Sequence, residues 1–235
     1  MSEQRAASAL LSLEGARAPL DPRFGALATL DLQLQAGELV LIDPGGPAPG
    51  AALADAICGL ELPTAGEIRF LGRCWRELKP DAANALRGRI GRVFARGGWL
   101  EHLTVLENVL LQQLHQTRRE RALLLLEASR LAQRLELPGL PMGLPHEHGE
   151  AELRRAGCVR AFLGRPALVI LEEPVGTADE LLAPLLNLVL AALGRGAAVL
   201  WLTTLPRVLG AAAVPARDRY RLLGGRLVSL SKQAV

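Results

Sequence analysis

The chain has 235 residues, with 27 basic against 24 acidic side chains, a net charge of +3 and 50% hydrophobic residues. That length can bury a sizeable core without staples, and the near-balanced charge, with Tyr220 as the only tyrosine, excludes a nucleic-acid footprint or a base-stacking platform. Three cysteines, Cys58, Cys74 and Cys158, lack any C-x-x-C spacing, which excludes a disulfide framework or zinc site and points to a reducing compartment.

The amino-terminal residues Met1–Ser8 carry charge and no apolar signal-peptide core, and the leucine-rich runs are interrupted well short of a membrane span. Alternating apolar residues predict strands at Leu11–Leu13, Leu30–Leu34 and Leu39–Ile42, the last two separated by a turn at Ala36-Gly37-Glu38. Ala51–Leu60 has a helical apolar pattern. Pro63-Thr64-Ala65-Gly66 then turns the chain into a strand at Glu67–Leu71. Thr104-Val105-Leu106-Glu107 is a capping-box sequence that opens a helical stretch toward about Glu136, ended by Pro138, Pro141 and Pro145. Glu150–Leu163 reads as a helix, and Ala167–Leu171 as a fully covered parallel strand ending in Glu172 and Glu173. Leu185–Leu193, with Pro184 in its first turn, is helical, and Ala197–Leu202 is a second buried strand. Strand and helix alternate as in an α/β sheet.

Residues Leu41–Ala52, between a strand and a helix, occupy the place of a phosphate-binding loop. Such a loop needs glycine-presented amides, a lysine for the terminal oxygens and a hydroxyl for magnesium. No lysine or arginine stands between Arg23 and Arg69, and no serine or threonine between Thr29 and Thr64. Pro44, Pro47 and Pro49 also delete backbone donors.

Over residues 11–230 the order of elements, and several landmarks, resemble the nucleotide-binding subunit of an ABC transporter. Pro63–Ile68 resembles the turn and strand after the first helix, Leu103–Val109 the start of the helical subdomain, and Leu163–Pro166 with Leu168–Pro174 the Walker B region; Gly176–Asp179 resembles the loop that follows it. The resemblance implies an α/β, P-loop NTPase-like ABC ATPase core with a small antiparallel β layer and an inserted α-helical subdomain. It implies a single domain over 1–235, with a core lobe of about 9–94 and 165–235 and the helical subdomain at about 95–164.

Set against that family, the nucleotide motifs are degenerate. The phosphate loop is Pro44-Gly45-Gly46-Pro47-Ala48-Pro49-Gly50-Ala51-Ala52, Ala95 stands at the glutamine position, and Thr204 at the switch histidine. The signature is His148-Gly149-Glu150-Ala151-Glu152, where Glu150 and Glu152 bring negative charge to a helix end that should face a phosphate. The early aromatic that would stack on adenine is missing, since only Phe24 precedes Gly37. Glu172 takes the Walker B acid position and Glu173 that of the catalytic base. The bland reading of the pair is as polar strand ends bonded to neighbouring backbone. Charge-assisted hydrogen bonds are worth about 1.5–3 kcal/mol each, so losing the lysine and two or three donors removes roughly 5–10 kcal/mol, against the about 8 kcal/mol of micromolar binding. No catalytic residue is expected active, no metal is expected, and ATP and magnesium would bind only if the divergent loop worked in an unfamiliar way.

The resemblance implies a cytoplasmic subunit, peripheral on the cytoplasmic face of the membrane, that docks on an integral-membrane permease as a homodimer or beside a second ABC ATPase subunit, with no nucleic-acid partner. Phe94 and Trp99 are the candidate permease contacts, with local packing as the alternative for Trp99. Non-hydrolysing transporter subunit is the function expected; an active ATPase with divergent motifs, or a soluble scaffold unconnected with transport, are the rivals. His146-Glu147-His148, an i, i+2 pair without a third ligand, makes a poor metal site.

Overall fold

A computed structural model describes residues 9–21, 26–96 and 98–230. Phe24 and Met1–Ser8 therefore lie outside the described residues. Among the described residues ten strands form two sheets. The smaller is antiparallel, in the order β2 (Ala26–Leu34), β1 (Leu11–Asp21), β4 (Ala65–Phe70), β5 (Arg73–Cys74). The larger runs β10 (Arg226–Ser229), β9 (Asp218–Leu223), β3 (Leu39–Asp43), β8 (Ala198–Leu202), β7 (Leu168–Glu172), β6 (Ile90–Val93), parallel except for the β9–β10 hairpin.

Strands β3, β7 and β8 are buried at every position, as parallel strands covered on both faces must be. Their side chains alternate between two cores. Leu39, Leu41, Val169, Leu171, Val199 and Trp201 face helices α3 (Val105–Gln116), α4 (Arg121–Arg134), α5 (Glu150–Phe162) and α6 (Leu182–Leu193). Val40, Ile42, Leu168, Ile170, Leu200 and Leu202 face α1 (Pro47–Ile57) and the antiparallel layer. The period of two along a strand thus splits one apolar run between two cores. Trp201 is fully buried in the first, as a packing residue should be, and its indole nitrogen has no hydrogen-bond partner. The second buries Trp75, whose indole N–H donates to the Ile57 carbonyl at 3.0 Å.

The α/β architecture with an antiparallel layer agrees with expectation, but several boundaries do not. Helix α1 begins at Pro47, four residues before the apolar pattern at Ala51, because proline suits the first helical position, where no N–H is needed. The stretch expected to run toward Glu136 is two helices. Thr117 is extended and its hydroxyl donates to the Gln113 carbonyl at 2.7 Å, ending α3 before α4 opens at Arg121. Helix α2 (Pro80–Arg87) and the β9–β10 hairpin were not anticipated.

The capping box forms as expected: the Glu107 N–H donates to Thr104 Oγ1 at 3.2 Å, and the Thr104 N–H to Glu107 Oε2 at 2.8 Å. Beside it, buried Asn108 donates to the carbonyls of Leu100, Leu103 and Thr104 and accepts the Leu100 N–H, which anchors the connection between β6 and α3. Among the described residues no helix is long and apolar enough to cross a membrane.

Candidate functional site

Strand β3 ends in Asp43, a buried carboxylate that accepts the Gly45 N–H at 2.9 Å and Arg221 Nε at 2.7 Å. Gly45, with φ of 74°, adopts the left-handed conformation that folds the loop back onto that carboxylate. In the first turn of α1, Pro47 and Pro49 have no N–H, and the Gly50 N–H is taken by the Gly46 carbonyl at 3.2 Å. Gly46 and Ala48 are left as the loop amides without an acceptor among the described residues.

This loop lines a cleft of about 680 Å³ together with Arg92, Phe94, Ala95, Arg96 and Glu172. The fold therefore brings the phosphate-loop position, Ala95 and Glu172 to one place. Arg92, on β6, dominates it. Its Nε donates to Glu172 Oε1 at 2.5 Å, its Nη1 to Asp55 Oδ1 at 2.6 Å, and its Nη2 to the Ala51 carbonyl at 3.4 Å. The side chain of Arg92 is 9% exposed and that of Glu172 only 3%. Burial raises the Glu172 carboxyl above its ordinary range, and Arg92 pulls it part of the way back. Burial disfavours the Arg92 charge too, but the hydrogen bond and charge of Glu172 outweigh it and hold the guanidinium protonated.

The sequence reading overlooked Arg92. No cation is available locally in the loop, yet the neighbouring strand delivers one to it. The usable signal was the short run Ile90-Gly91-Arg92-Val93, an arginine between apolar residues, which when buried requires carboxylate partners.

Glu173 follows at the end of β7 with φ of 43°, a conformation unfavourable for a residue with a Cβ. Its carboxylate accepts from Thr203 Oγ1 at 2.8 Å, from the Thr204 N–H at 2.6 Å and from Thr204 Oγ1 at 2.8 Å. The catalytic-base and switch positions are thus bonded to each other.

His148 and Gly149 lead into α5 and Glu150, Ala151 and Glu152 open it; His148 and Glu150 line a cavity that adjoins the phosphate-loop cleft through Phe94, Ala95 and Arg96. Glu150 and Glu152 sit in the first helical turn, where carboxylates stabilise the helix end and repel an incoming anion. Glu150 pairs with Arg154 at 2.5 Å, Arg154 donates also to the Glu173 carbonyl at 2.8 Å, and His148 Nδ1 lies 3.0 Å from Glu152.

Phe94 and Trp99 sandwich Arg160, whose guanidinium carbon is 5.3 Å from the first ring centroid and 4.4 Å from the second. Phe94 is 37% exposed while Trp99 is partly covered, so Trp99 also has the packing role left open above. Burial lowers Arg160 to about 10 and raises the thiols of Cys58 and Cys158 to about 11 and about 12, which makes both cysteines poor nucleophiles. Among the described residues no group of three or more His, Cys, Asp or Glu could hold a metal.

Residues 27–176 match the family described as ABC transporter. The lipoprotein-releasing system ATP-binding protein LolD of Chromohalobacter salexigens is 31% identical over 160 residues, which cover 66% of this chain and 65% of that protein. The cell division ATP-binding protein FtsE of Escherichia coli K12 is 29% identical over 167 residues, 67% of this chain and 71% of that one. The match thus spans slightly under two thirds of the first of these relatives. Among solved structures, the dimeric structure of MJ0796, a bacterial ABC transporter cassette, superposes with a TM-score of 0.77 at 22% identity, over 92% of this chain and 96% of that one. An ATP binding subunit of an ABC transporter superposes with a TM-score of 0.78 at 20% identity, over 94% and 90% of the two chains.

Proposed function

The chain belongs to the ABC transporter family of ATP-binding cassettes, and from that premise we propose that it is a non-hydrolysing subunit of a transporter. The observation that carries this reading is Arg92. Its guanidinium lies between the loop, Asp55 and Glu172, and it neutralises the carboxylate that would hold magnesium through water. A magnesium ion beside Glu172 would have to displace a buried cation that bridges two carboxylates, and a triphosphate would meet the carboxylate of Asp43 on the Gly45 amide. ATP and magnesium do not fit the residues present. Pro47, Ala48, Pro49, Gly50, Ala51 and Ala52 supply neither a lysine nor a hydroxyl, and two of the six lack an N–H. Glu150 and Glu152 set negative charge at the helix end that a partner's nucleotide would approach, so the chain would weaken both sites of a mixed dimer.

Titration of the purified chain with Mg-ATP in a calorimeter is the direct test, with no binding heat expected at millimolar nucleotide. A dissociation constant in the micromolar range or tighter would reinstate the active-ATPase alternative, which the adjacent Glu172 and Glu173 otherwise favour.

The role left to such a subunit is assembly or regulation, on the cytoplasmic face of an integral-membrane permease, as a homodimer or beside a second ATPase subunit. The core lobe is residues of about 9–94 and 165–235, and the helical subdomain about 95–164. Exposed Leu60, Phe94, Leu100 and Leu111 gather around a cleft of about 520 Å³ next to the Phe94–Leu103 segment. Leu111→Asp should abolish recovery of the permease by co-purification and leave the isolated chain folded, and Trp99→Ala should weaken recovery. Full recovery with both variants would remove this face from the interface.

A further inference from the structure

On the other side of the helical layer lies a groove of about 440 Å³ between α4, the turn Leu163–Pro166 and the end of α6. Its floor is apolar, formed by Leu131, Phe162 and Leu188, and Leu123 and Leu126 on α4 line its wall, 53% and 49% exposed. Two exposed leucines three residues apart present one helix face that nothing among the described residues covers. Around this floor stand Arg119, Arg130, Arg134, Arg165 and Arg195, against a single carboxylate, Glu127.

Glu127 is already committed. One oxygen pairs with Arg119 at 2.6 Å and the other accepts the Gly164 N–H at 3.2 Å. Arg134 and Arg195 donate to the carbonyls of Asn187 and Ala191, which leaves their charge uncompensated. Arg130 and Arg165 have no hydrogen-bond or carboxylate partner among the described residues. Burial and the neighbouring charges of Arg165 and Arg134 push the Arg195 guanidinium below its usual value, and Glu127 offsets this only in part.

We propose that this groove binds an acidic amphipathic segment of a protein partner, its leucine-type face on the exposed Leu123 and Leu126 and its carboxylates on Arg130 and Arg165. Charge complementarity selects the acid, because four of the five arginines lack a carboxylate. The apolar floor selects a side-chain-bearing ligand over a simple anion, and the concave shape selects a rod over a flat membrane surface. The site is separate from the degenerate nucleotide cleft and does not depend on how that cleft functions.

The test uses the full chain and a fluorescein-labelled helical peptide of about five turns, with leucines on one face and glutamates on the flanks. Fluorescence anisotropy should give a micromolar dissociation constant that weakens with salt. Arg130→Glu should weaken binding about tenfold or more, as reversal of a complementary charge does. Arg165→Asn should weaken it several-fold; asparagine tolerates the left-handed φ of 56° at that position, so the fold is preserved. Arg118→Glu, an exposed arginine outside the groove, should leave it unchanged.

A sequence-scrambled peptide of the same composition, and one with lysines for glutamates, should bind much more weakly. Equal binding by either, an equal loss with Arg118→Glu, or no binding of the acidic peptide would overturn the proposal. Arg130-dependent binding to phosphatidylglycerol vesicles, or competition by inorganic phosphate alone, would do so as well, by assigning the groove to a lipid or a free anion.

Discussion

Arg92→Met should lower the thermal unfolding midpoint by roughly 6–20 °C, the largest effect expected of any single polar substitution in this chain. Methionine keeps most of the volume but leaves Glu172, 3% exposed, without its cation. Removing one partner of a buried pair costs about 3–5 kcal/mol, and in a chain of this size each kcal/mol shifts the midpoint by about 2–4 °C. Asp55 loses less, because its side chain is 41% exposed and water replaces the guanidinium. The double variant Arg92→Met with Glu172→Leu should recover most of the loss, since removing both charges also removes their desolvation.

The pH dependence has a definite sign. Burial raises the Glu172 carboxyl, and loss of Arg92 removes two of the three interactions that lower it, leaving the hydrogen bond from the Ala95 backbone. A group with a raised folded-state pKa is fully compatible with the fold below its unfolded value of about 4.3 and becomes destabilising as pH rises through the folded value. The gap between Arg92→Met and wild type should therefore be small near pH 4 and widen as the solution is made neutral. Urea melts of both proteins across that range measure it; a gap independent of pH would mean that Glu172 is not the group left behind.

Glu173→Ala should cost about 2–4 kcal/mol, from three charge-assisted hydrogen bonds whose donors on Thr203 and Thr204 are partly rehydrated when the carboxylate goes. Glu173→Gly loses the same bonds but relieves the left-handed backbone, worth about 1 kcal/mol. The glycine variant should thus be the more stable of the two, the reverse of the usual order for these residues in regular structure. Glu173→Gln, in an assembled complex, should leave the ATPase rate at its wild-type value. A large fall in that rate with the assembly intact would show that this carboxylate acts on a bound nucleotide.

These effects were only partly visible in the residue order. Continuous apolar runs such as Leu39–Ile42 and Ala197–Leu202 were legible as buried strands because a parallel strand covered on both faces has no polar position. Thr104 and Glu107 were legible as a helix start because a capping box is local, and the change of the phosphate loop was legible because its loss is a matter of residue type. The end of α3 at Thr117 was not, since the following Arg118–Glu120 stretch is compatible with helix and only the hydroxyl bond to Gln113 and the extended backbone break it.

The sequence alone thus determined the buried strands β3, β7 and β8 and the helix start at Thr104, the missing lysine and hydroxyl, and the carboxylates standing side by side at Glu172 and Glu173, all of which depend on near neighbours. Tertiary structure alone decided that Arg92 is inserted between Asp55 and Glu172, 37 and 80 residues away along the chain, and that Glu173 is tied to Thr203 and Thr204. It also gathered Arg119, Arg130, Arg134, Arg165 and Arg195 from separate elements around one groove. The physical reason is common to all three. A buried charge must find its counter-charge wherever the folded sheet delivers one, and an exposed charge gains significance only from the neighbours that packing brings to it.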